Sequence, residues 1–386
     1  MFGCGDPLPL SNVRWSRAPD VDRLGHMDEL DQSSLATAFE ARRRGAALGI
    51  DPTHVSASTP TPHRVGRIHV LPSTSETVRL GVFDATLPNL LDIESGDVVV
   101  YPDTWSHFLN RVQPGVGIDE LAQLRRENPG RGPHSIVGPV GVRGAEPGDM
   151  LAIHFQRLIP VDWGVTFVNP GDLGTGTLPS EFPTGQARYL DLDLASMTTE
   201  FLPGINLPVA PFQGTFGVAP TSGGVVSSVP PGQHAGNIDL RDLTEGAILY
   251  VPVFQTSGKL FTGDSHAAQG DGEVNNQALE SAMREVRVQV VLHKHAGWQW
   301  PFAETDTHWY VLGIHADLNE AFRIATRTTI EFLHHKAGLT RLDAYSLASI
   351  GMSFRVTQFV DQTRGVHAML PKAIFSEARR REISIC

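Results

Sequence analysis

The sequence contains very little cysteine. Only Cys4 and Cys386 occur among its 386 residues, and they stand at opposite ends of the chain. Two such residues provide no disulfide framework of the kind on which small secreted domains depend. They are also poor candidates for a catalytic nucleophile, because a reactive cysteine sits on a rigid scaffold inside a pocket. We therefore expect a protein of the reducing cytoplasm.

Long apolar runs and an excess of positive charge are also missing. The sequence has no stretch of about 18 apolar residues, so it predicts no membrane-spanning helix. Its N-terminal part lacks a basic segment followed by an apolar one, which argues against a secretory leader. The 42 acidic residues outnumber the 31 lysines and arginines, and the formal net charge is −11. A protein this acidic is not expected to bind nucleic acid or an anionic membrane surface.

Several common catalytic signatures are absent. The sequence has neither the G-x-x-x-x-G-K-[ST] phosphate loop nor a G-x-G-x-x-G turn that opens a helix. It also lacks the G-x-S-x-G elbow of serine hydrolases. The serine-rich segment 221–228 resembles amidase loops whose base is an earlier lysine, but the first lysine of this chain is Lys259. Nucleotide chemistry and serine-based hydrolysis are therefore disfavoured.

Turn-forming residues are abundant instead. The chain has 38 glycines and 27 prolines, and they separate short apolar runs that are typical of strands. The spacing of these runs favours an antiparallel β-sandwich or barrel over βαβ units. The region 159–215 has little periodicity and is predicted to be rich in loops. The predicted strands are 65–71, 77–83, 97–101, 136–142, 150–158, 248–254 and 286–293.

Two helices are predicted near the C-terminus. Apolar residues recur at helical spacing over 318–336, and Gly338 is expected to end that helix. Thr340, followed by Asp343, is expected to cap a second helix over 342–350. Both helices should cover one face of a sheet. The predicted fold is therefore mainly β with an α+β part, that is, antiparallel sandwich or barrel subdomains with two C-terminal helices packed on a sheet.

The chain is predicted to have three parts. Residues 1–63 form an N-terminal extension with a helix over 28–49 and a linker over 56–62 that is rich in Ser, Thr and Pro. Residues 64–245 form a β-rich region. Residues 246–386 form an α+β region.

One segment concentrates groups that can do chemistry. Residues 262–274 read T-G-D-S-H-A-A-Q-G-D-G-E-V and follow a predicted strand. If the backbone stays extended there, Asp264 and His266 point to the same face, and such a pair suits a metal ion. Carboxylates crowded this closely repel one another unless a cation or shared protons relieve them. A hydrogen-bonded surface turn is the alternative, since Asp and Gly are common in turns.

Histidines elsewhere in the chain supply further candidate ligands. His134, His234 and His367 each lie in a turn near a predicted strand, and Asn237 and Asp239 follow His234 closely. Loops at one end of a strand scaffold are where binding sites are commonly assembled. We therefore expect these turns to meet the segment 262–274.

Four segments together resemble the acetamidase/formamidase family. They are Pro133–Met150, His234–Gly246, Gly263–Val274 and Gln358–Lys372, and the likeness extends over roughly residues 75–375 in order. The stretch G-D-S-H-A-A-Q-G-D-G-E is its most specific part. The resemblance implies a cytoplasmic hydrolase that cleaves carbon–nitrogen bonds of simple amides and releases ammonia. It also implies a β-rich fold with an α+β part, association with zinc or calcium, and a homodimer or larger homo-oligomer.

The residues and the resemblance lead to one hypothesis for the site. A divalent metal, zinc in the first place and calcium in the second, is expected to promote the attack of water on a small linear amide. Glu273 is the predicted general base and Asp271 the alternative; Asn237 or Gln269 would donate to the developing oxyanion, and His367 is assigned to substrate binding. The predicted metal ligands are Asp264, His266, His134, His234 and Asp239.

Two other functions stay open at this point. The chain could hydrolyse a related carbamate or an N-substituted amide. It could also be a non-enzymatic β-sandwich binding protein stabilised by calcium, because the oxygen-rich acidic segment suits Ca²⁺, although histidine does not.

Overall fold

The structure, a computed structural model, describes residues 66–386. The predicted helix over 28–49 and the linker over 56–62 lie outside this range. The described part contains 22 strands and five helices. The strands are β1 Ile68–Val70, β2 Val78–Leu80, β3 Val82–Asp84, β4 Leu91–Ile93, β5 Val98–Pro102, β6 Ser135–Val142, β7 Met150–Pro160, β8 Trp163–Val168, β9 Gln186–Asp191, β10 Thr198–Leu202, β11 Ile205–Pro208, β12 Phe212–Val218, β13 Val225–Ser227, β14 Ala235–Asn237, β15 Ile248–Pro252, β16 Leu260–Ala268, β17 Leu279–Ser281, β18 Met283–His293, β19 Phe302–Glu304, β20 His308–His315, β21 Ser353–Asp361 and β22 Thr363–Pro371.

Most strands belong to two sheets of nine strands each. Sheet A has the order β1-β5-β18-β7-β15-β19-β20-β22-β21. Sheet B has the order β14-β12-β16-β17-β8-β9, and β6 joins β16 to β2 and β4. Neighbouring strands are antiparallel except for the pairs β1–β5 and β4–β6. The ribbons β10–β11 and β3–β13 complete the β-structure.

Sheet A is covered on both faces. Along β7, Leu151, Ile153 and Phe155 belong to the apolar core shared with sheet B, whereas Met150 and Ala152 belong to the core beneath the helices. This alternation follows from the two-residue period of a strand. The ring of Phe155 meets that of Phe216 of sheet B edge-on, with centroids 5.6 Å apart. The layers are thus sheet B, sheet A and helices.

The two long helices near the C-terminus agree with the sequence prediction. The five helices are α1 His107–Asn110, α2 Ile118–Glu127, α3 Leu318–Ala337, α4 Arg341–Gly351 and α5 Glu377–Glu382. The long helix α3 is capped by Asp317 and ends at Gly338, whose φ is 66°. Thr340 caps α4 through the Asp343 amide, as predicted. Phe332 of α3 packs on Trp309 and Phe302 of sheet A. Among residues 66–386, no helix has the length and apolar character of a membrane span.

Two expectations need correction. The region 159–215 has the predicted loop at 169–185, but it also contains β8 to β11 and the start of β12. The alternative of a surface turn over 262–274 is wrong for Asp264 and His266, since both are buried in β16, which runs as far as Ala268. The strand order closes no barrel, so of the two predicted architectures the sandwich is the one observed. Both sheets take strands from either side of residue 246, and the predicted boundary there stays a prediction.

Two turns of the same design lead into β5 and β7 of sheet A. In Glu94–Asp97 and Glu146–Asp149, each aspartate accepts a hydrogen bond from the amide of the glutamate three residues earlier, at 3.0 and 2.8 Å. The glycine before each aspartate has a positive φ, 90° at Gly96 and 94° at Gly148. Burial disfavours the Asp149 carboxylate, but hydrogen bonds from Lys294, His295 and Glu146 outweigh it and lower its pKa.

We predict that Asp149→Asn lowers the free energy of unfolding by about 2 kcal/mol, since it removes a buried charge that accepts several hydrogen bonds. The folded-state pKa of Asp149 is lowered, so its contribution is complete above the unfolded pKa of about 3.9 and is lost as the pH falls through the folded value. The deficit of the variant should therefore be largest near pH 7 and smaller in acid.

Urea unfolding at several pH values measures this deficit. The matched control is Asp306→Asn, which changes an exposed aspartate. Equal stability of the two variants at neutral pH would contradict the assigned role of Asp149.

Candidate active site

A cluster of ionisable side chains is buried where sheet B meets α1. Strand β16 contributes Asp264 and His266, and β17 contributes Glu280, which lies opposite His266 in the strand register. His107 comes from α1, His134 precedes β6, and Asp239 follows β14. All of them are buried. We call these six residues the central cluster: His107, His134, Asp239, Asp264, His266 and Glu280.

Asp264 is the centre of this cluster. Its Oδ1 lies 2.7 Å from Nε2 of His107 and 3.2 Å from Nε2 of His266. Its Oδ2 lies 3.9 Å from Nε2 of His134 and 3.2 Å from the Thr215 hydroxyl oxygen. One carboxylate is thus surrounded by three imidazoles.

Glu280 and Asp239 flank the centre. Oε2 of Glu280 lies 3.3 Å from Nε2 of His107 and 3.2 Å from Nε2 of His266. Oδ1 of Asp239 lies 3.8 Å from Nδ1 of His266, beyond hydrogen-bond distance. The two carboxylates therefore face the same imidazole, that of His266, through different nitrogens.

Gly214 of β12 makes room for the cluster. A Cβ atom at this position would lie 2.4 Å from Cε1 of His266, 2.6 Å from Oδ1 of Asp239 and 2.7 Å from Oδ2 of Asp264. Real Cβ atoms do not approach other atoms this closely, so a side chain at 214 would force the three apart. Glycine is required here because it has no side chain, and not for its backbone freedom, since the φ of Gly214 is not positive.

A second group of acids adjoins the central cluster. Ligand atoms of Asp239, Glu273 and Asp361 lie within 4.8 Å of one another, and all three residues are buried. Asp361 accepts a hydrogen bond from the Asn276 amide at 3.0 Å. We call these three residues the acidic trio; it shares Asp239 with the central cluster.

The histidines respond differently to their surroundings. Burial disfavours the charged imidazole at His107 and His266, but the carboxylates of Glu280 and Asp264 outweigh it and raise the pKa of both residues. At His134, burial prevails and lowers the pKa to about 4. His134 is therefore neutral at pH 7 and can offer a nitrogen lone pair, which a metal ligand must do.

The carboxyl groups fall into two classes. Burial favours protonation of Asp264, but the imidazoles of His266, His134 and His107 reverse this effect and lower its pKa. Burial raises the pKa of Glu273, and the neighbouring Asp361 and Glu280 carboxylates raise it further. Burial likewise raises the pKa of Asp361 to about 7. The trio holds more negative charge than the interior tolerates unless protons or a cation neutralise it.

The backbone at three of these acids is strained. Asp239, Asp264 and Glu273 have φ values of 51°, 62° and 47°, in the left-handed region that non-glycine residues seldom occupy. The departure at Asp264 corrects the expectation that Gly263–His266 is simply extended, although both side chains do reach the same cluster. Strain of about 1–3 kcal/mol per residue persists only where the surrounding structure enforces it.

The residues fit a divalent metal ion. Ligand atoms of His107, His134 and Asp264 lie within 4.8 Å of one another, and those of Asp239, Asp264 and His266 do so as well. Both oxygens of Asp239 and the Nδ1 atoms of His107 and His266 are buried without a hydrogen-bond partner in the described part of the chain. Buried polar atoms are normally paired, and a cation would satisfy several at once.

A small cavity opens onto the cluster. Its volume is about 20 Å³, which is the space of one or two water molecules. His107, His134 and Glu280 of the central cluster form one side of it, and Glu273 and Asp361 of the trio form another. Arg125, Asn237, Asn276 and Gln277 also line it. The arrangement can admit a very small polar molecule beside carboxylates and imidazoles.

The structure brings some of the predicted residues together and not others. His134, Asp239, Asp264 and His266 meet in the central cluster, and Glu273 and Asn237 line the cavity. Gln269 lies to one side, where its Nε2 donates to the Asp239 carbonyl at 3.1 Å. His234 does not reach the cluster: its loop turns the imidazole against Phe83, with ring centroids 5.7 Å apart.

Asp271 and His367 lie together away from the cavity. Their ligand atoms and that of Asp242 are within 4.8 Å of one another. Asp271 also pairs with Arg355 at 3.2 Å and with Arg241 at 3.7 Å. These contacts direct Asp271 away from Glu273, so the alternative base and the predicted substrate-binding histidine are not among the residues that line the cavity.

Sequence analysis missed His107, Glu280 and Asp361. His107 lies in α1, a short left-handed turn in which Phe108 and Leu109 have φ values of 53° and 57°. No local sequence pattern predicts such a turn. Glu280 did carry a signal, because a single acid within A-L-E-S-A-M is unusual for a buried strand. Asp361 lies inside the segment Gln358–Lys372 that carries the resemblance, but its side chain has no distinctive spacing.

Comparison with known proteins now identifies the family. The profile of the Acetamidase/Formamidase family matches residues 87–224 and 223–377, which is most of the chain. The chain belongs to the acetamidase/formamidase family. The matched range includes every residue of the central cluster and of the acidic trio.

The relatives that are similar to this chain include proteins named acetamidase and formamidase. The chain is 27% identical over 199 residues to the acetamidase of Mycolicibacterium smegmatis, a match that covers 37% of this chain and 49% of that protein. It is 26% identical over 191 residues to the formamidase of Methylophilus methylotrophus, covering 36% and 47%. The chain thus spans about half the length of these curated relatives. The crystal structure of an acetamidase from Yersinia enterocolitica superposes with a TM-score of 0.72 at 29% identity, covering 81% and 94% of the two chains.

We predict that Gly214→Ala disrupts the central cluster, because the new methyl group would overlap His266 and both neighbouring aspartates. Overpacking of this kind costs about 1–3 kcal/mol, so the melting temperature should fall and the metal content of the purified protein should fall with it. Thermal unfolding and elemental analysis measure the two effects.

The matched control is Gly270→Ala, since a Cβ at Gly270 meets no atom within 4 Å. If Gly214→Ala behaves like this control in both measurements, the cluster is not packed as described.

Proposed function

We propose that the protein is a metal-dependent amidohydrolase that cleaves the C–N bond of a small linear amide to a carboxylate and ammonia. The observation that carries this proposal is a cavity of about 20 Å³ lined by two imidazoles and three carboxylates, with ligand atoms of the two imidazoles within 4.8 Å of Asp264. The names of the relatives from Mycolicibacterium smegmatis and Methylophilus methylotrophus support the same reaction.

Zinc is the metal that we propose for the central cluster. Imidazole nitrogens with a few carboxylate oxygens are a zinc ligand set, whereas calcium prefers oxygen alone. Asp264 would hold the ion together with His134, His107 and His266, and Asp239 stands beside them. When bound, such an ion polarises a carbonyl group and lowers the pKa of coordinated water toward about 7.

Glu273 is the proposed general base. It lines the cavity, and its Oε2 is buried and has no hydrogen-bond partner in the described residues. A base works best when its pKa lies near the operating pH, and burial together with Asp361 raises the pKa of Glu273 in that direction. Glu273 would take a proton from the attacking water and deliver it to the leaving nitrogen, which departs as ammonia.

Asn237 is the proposed donor to the substrate oxygen. Its Oδ1 accepts a hydrogen bond from the Thr215 hydroxyl at 2.6 Å, which fixes the orientation of the amide group. Its Nδ2 donates one hydrogen to the Val229 carbonyl at 3.2 Å, so the second hydrogen remains for a ligand in the cavity. A pre-oriented donor of this kind stabilises the developing oxyanion. His134 and His107 also line the cavity.

The substrate is proposed to be small because the cavity is small. Formamide and acetamide have three and four non-hydrogen atoms and already need slightly more room than one or two water molecules, so a larger acyl group or an N-substituent would overlap the cavity wall extensively. We also propose a cytoplasmic homo-oligomer; the exposed apolar side chains of Leu342 and Ile350 on α4, 81% and 85% exposed, would suit a contact between copies.

We predict that His266→Ala abolishes turnover and removes the metal that the central cluster binds. It removes one nitrogen ligand and leaves Asp264, Glu280 and Asp239 without the imidazole that they face. Elemental analysis of the purified protein and an ammonia-release assay measure the two losses. Full activity in a preparation without detectable metal would rule out the proposed mechanism.

We predict that Glu273→Gln lowers kcat by about 10²–10⁴-fold while the metal content stays unchanged, because the variant keeps the shape of the side chain but cannot accept a proton. Glu200→Gln is the matched control, since Glu200 is an exposed glutamate on β10. Equal kcat values for the two variants would remove Glu273 from the mechanism.

An ammonia-release screen over formamide, acetamide, longer amides, N-substituted amides and carbamates tests the substrate. We expect kcat/KM to be highest for the smallest primary amides. A preference for carbamates or N-substituted amides would select that alternative. Loss of stability on chelation from a protein with no hydrolytic activity would select the calcium-stabilised binding protein.

A further inference from the structure

A second group of ligand-bearing side chains lies outside the central cluster. Asp242, Asp271 and His367 place one ligand atom each within 4.8 Å of one another. Asp242 follows Asp239 by three residues, and Asp271 precedes Glu273 by two. His367 belongs to β22 of sheet A. We call these three residues the peripheral group; it shares no residue with the central cluster or the acidic trio.

The side chain of His367 can offer its Nε2 lone pair to a metal ion. The residue is fully buried, and its Nδ1 forms a hydrogen bond with the Thr357 hydroxyl at 2.8 Å. Its Nε2 is buried and has no hydrogen-bond partner among residues 66–386. Metal-binding histidines typically donate the other ring N–H to a fixed acceptor, which sets the tautomer and the orientation of the ring. Thr357 can provide that acceptor.

Asp242 supplies the second indication. Its Oδ2 is also buried without a hydrogen-bond partner in the described residues. An unpaired buried nitrogen and an unpaired buried carboxylate oxygen in one small group are costly unless something between them satisfies both. A shared cation does so directly.

We propose that Asp242, Asp271 and His367 bind a divalent transition-metal ion of the zinc class, at a site separate from the central cluster. Three protein ligands, one nitrogen and two carboxylates, leave a position for water in a tetrahedral zinc site. The ion would satisfy Nε2 of His367 and Oδ2 of Asp242 together.

The arginines next to Asp271 affect which class of cation the peripheral group can bind. Arg355 and Arg241 pair with Asp271, and each of the two arginines is 44% exposed. Their positive charges offset much of the charge of the two aspartates. Calcium depends on accumulated carboxylate charge and on six to eight oxygen ligands, which this group does not offer. Zinc gains from the imidazole nitrogen and tolerates a site of low net charge.

The position of the ion gives it a role. It would join β22 to two chain segments, one from Asp239 to Asp242 and the other from Asp271 to Glu273. These segments carry Asp239 and Glu273, so the ion would hold two residues of the acidic trio in place. This positioning role rests on the proposed function, whereas the site itself does not.

Zinc content tests the site directly. The full-length protein is stripped with a chelator, equilibrated with Zn²⁺, freed of unbound metal and analysed for zinc per chain. We expect His367→Gln and Asp242→Asn each to bind about one equivalent less than the wild type. Co²⁺ in place of Zn²⁺ should give a visible absorption band that both variants lose in part.

His295→Gln is the control, because the side chain of His295 is 90% exposed. Wild-type zinc content and Co²⁺ absorption in both His367→Gln and Asp242→Asn would overturn the proposal. If His367→Gln does not fold, Asp242→Asn decides alone, since Asp242 is only partly buried.

A further variant separates this site from the proposed function. His266→Ala should lose zinc from the central cluster and keep the peripheral equivalent. Unchanged zinc in His266→Ala with a loss in His367→Gln would reject the metal mechanism and leave the peripheral site standing. We expect kcat to fall about 10-fold in Asp242→Asn with the central zinc retained; unchanged kcat would reject the positioning role.

Discussion

The main constraint on this structure is that five carboxyl groups are buried next to one another, which is electrostatically costly. Asp239, Asp264, Glu273, Glu280 and Asp361 all lie in the interior, and they share that space with three imidazoles. Water would solvate each carboxylate far better than the protein interior does. The surrounding structure must therefore hold these groups together against their mutual repulsion, and positive charge must enter the site. Protons on His107 and His266 can supply it, or a metal ion that displaces these protons can, since a histidine ligand must be neutral.

The layered architecture makes this arrangement possible. Three of the six residues of the central cluster lie in strands of sheet B, whose strands β12, β16 and β17 are hydrogen-bonded on both sides. Sheet A supports sheet B through a continuous apolar core and is itself backed by α3 and α4. A ligand on such a strand cannot move without breaking the ladder. This rigidity is what a preorganised site needs, since solvent would otherwise rearrange around the charges.

Many features of the fold and of the site could be predicted from the sequence. The others depend on contacts between distant parts of the chain, which local patterns do not contain. The two C-terminal helices and their caps were predictable, because capping and periodicity are local properties. Asp264 and His266 were found through their spacing within one strand. Glu280 was not, because its role follows from pairing: the register of β16 and β17 sets it opposite His266. His134 and Asp239 were recognised as candidates, but only tertiary structure shows that His234, close to Asp239 in sequence, faces Phe83 instead.

The left-handed backbone at Asp239, Asp264 and Glu273 has an evolutionary consequence. Glycine adopts that conformation without strain, so a lineage released from selection for the chemistry would gain conformational stability by substituting glycine at any of the three positions. An acid at each of these positions therefore costs conformational stability, as expected of a residue kept for its charge rather than for the fold.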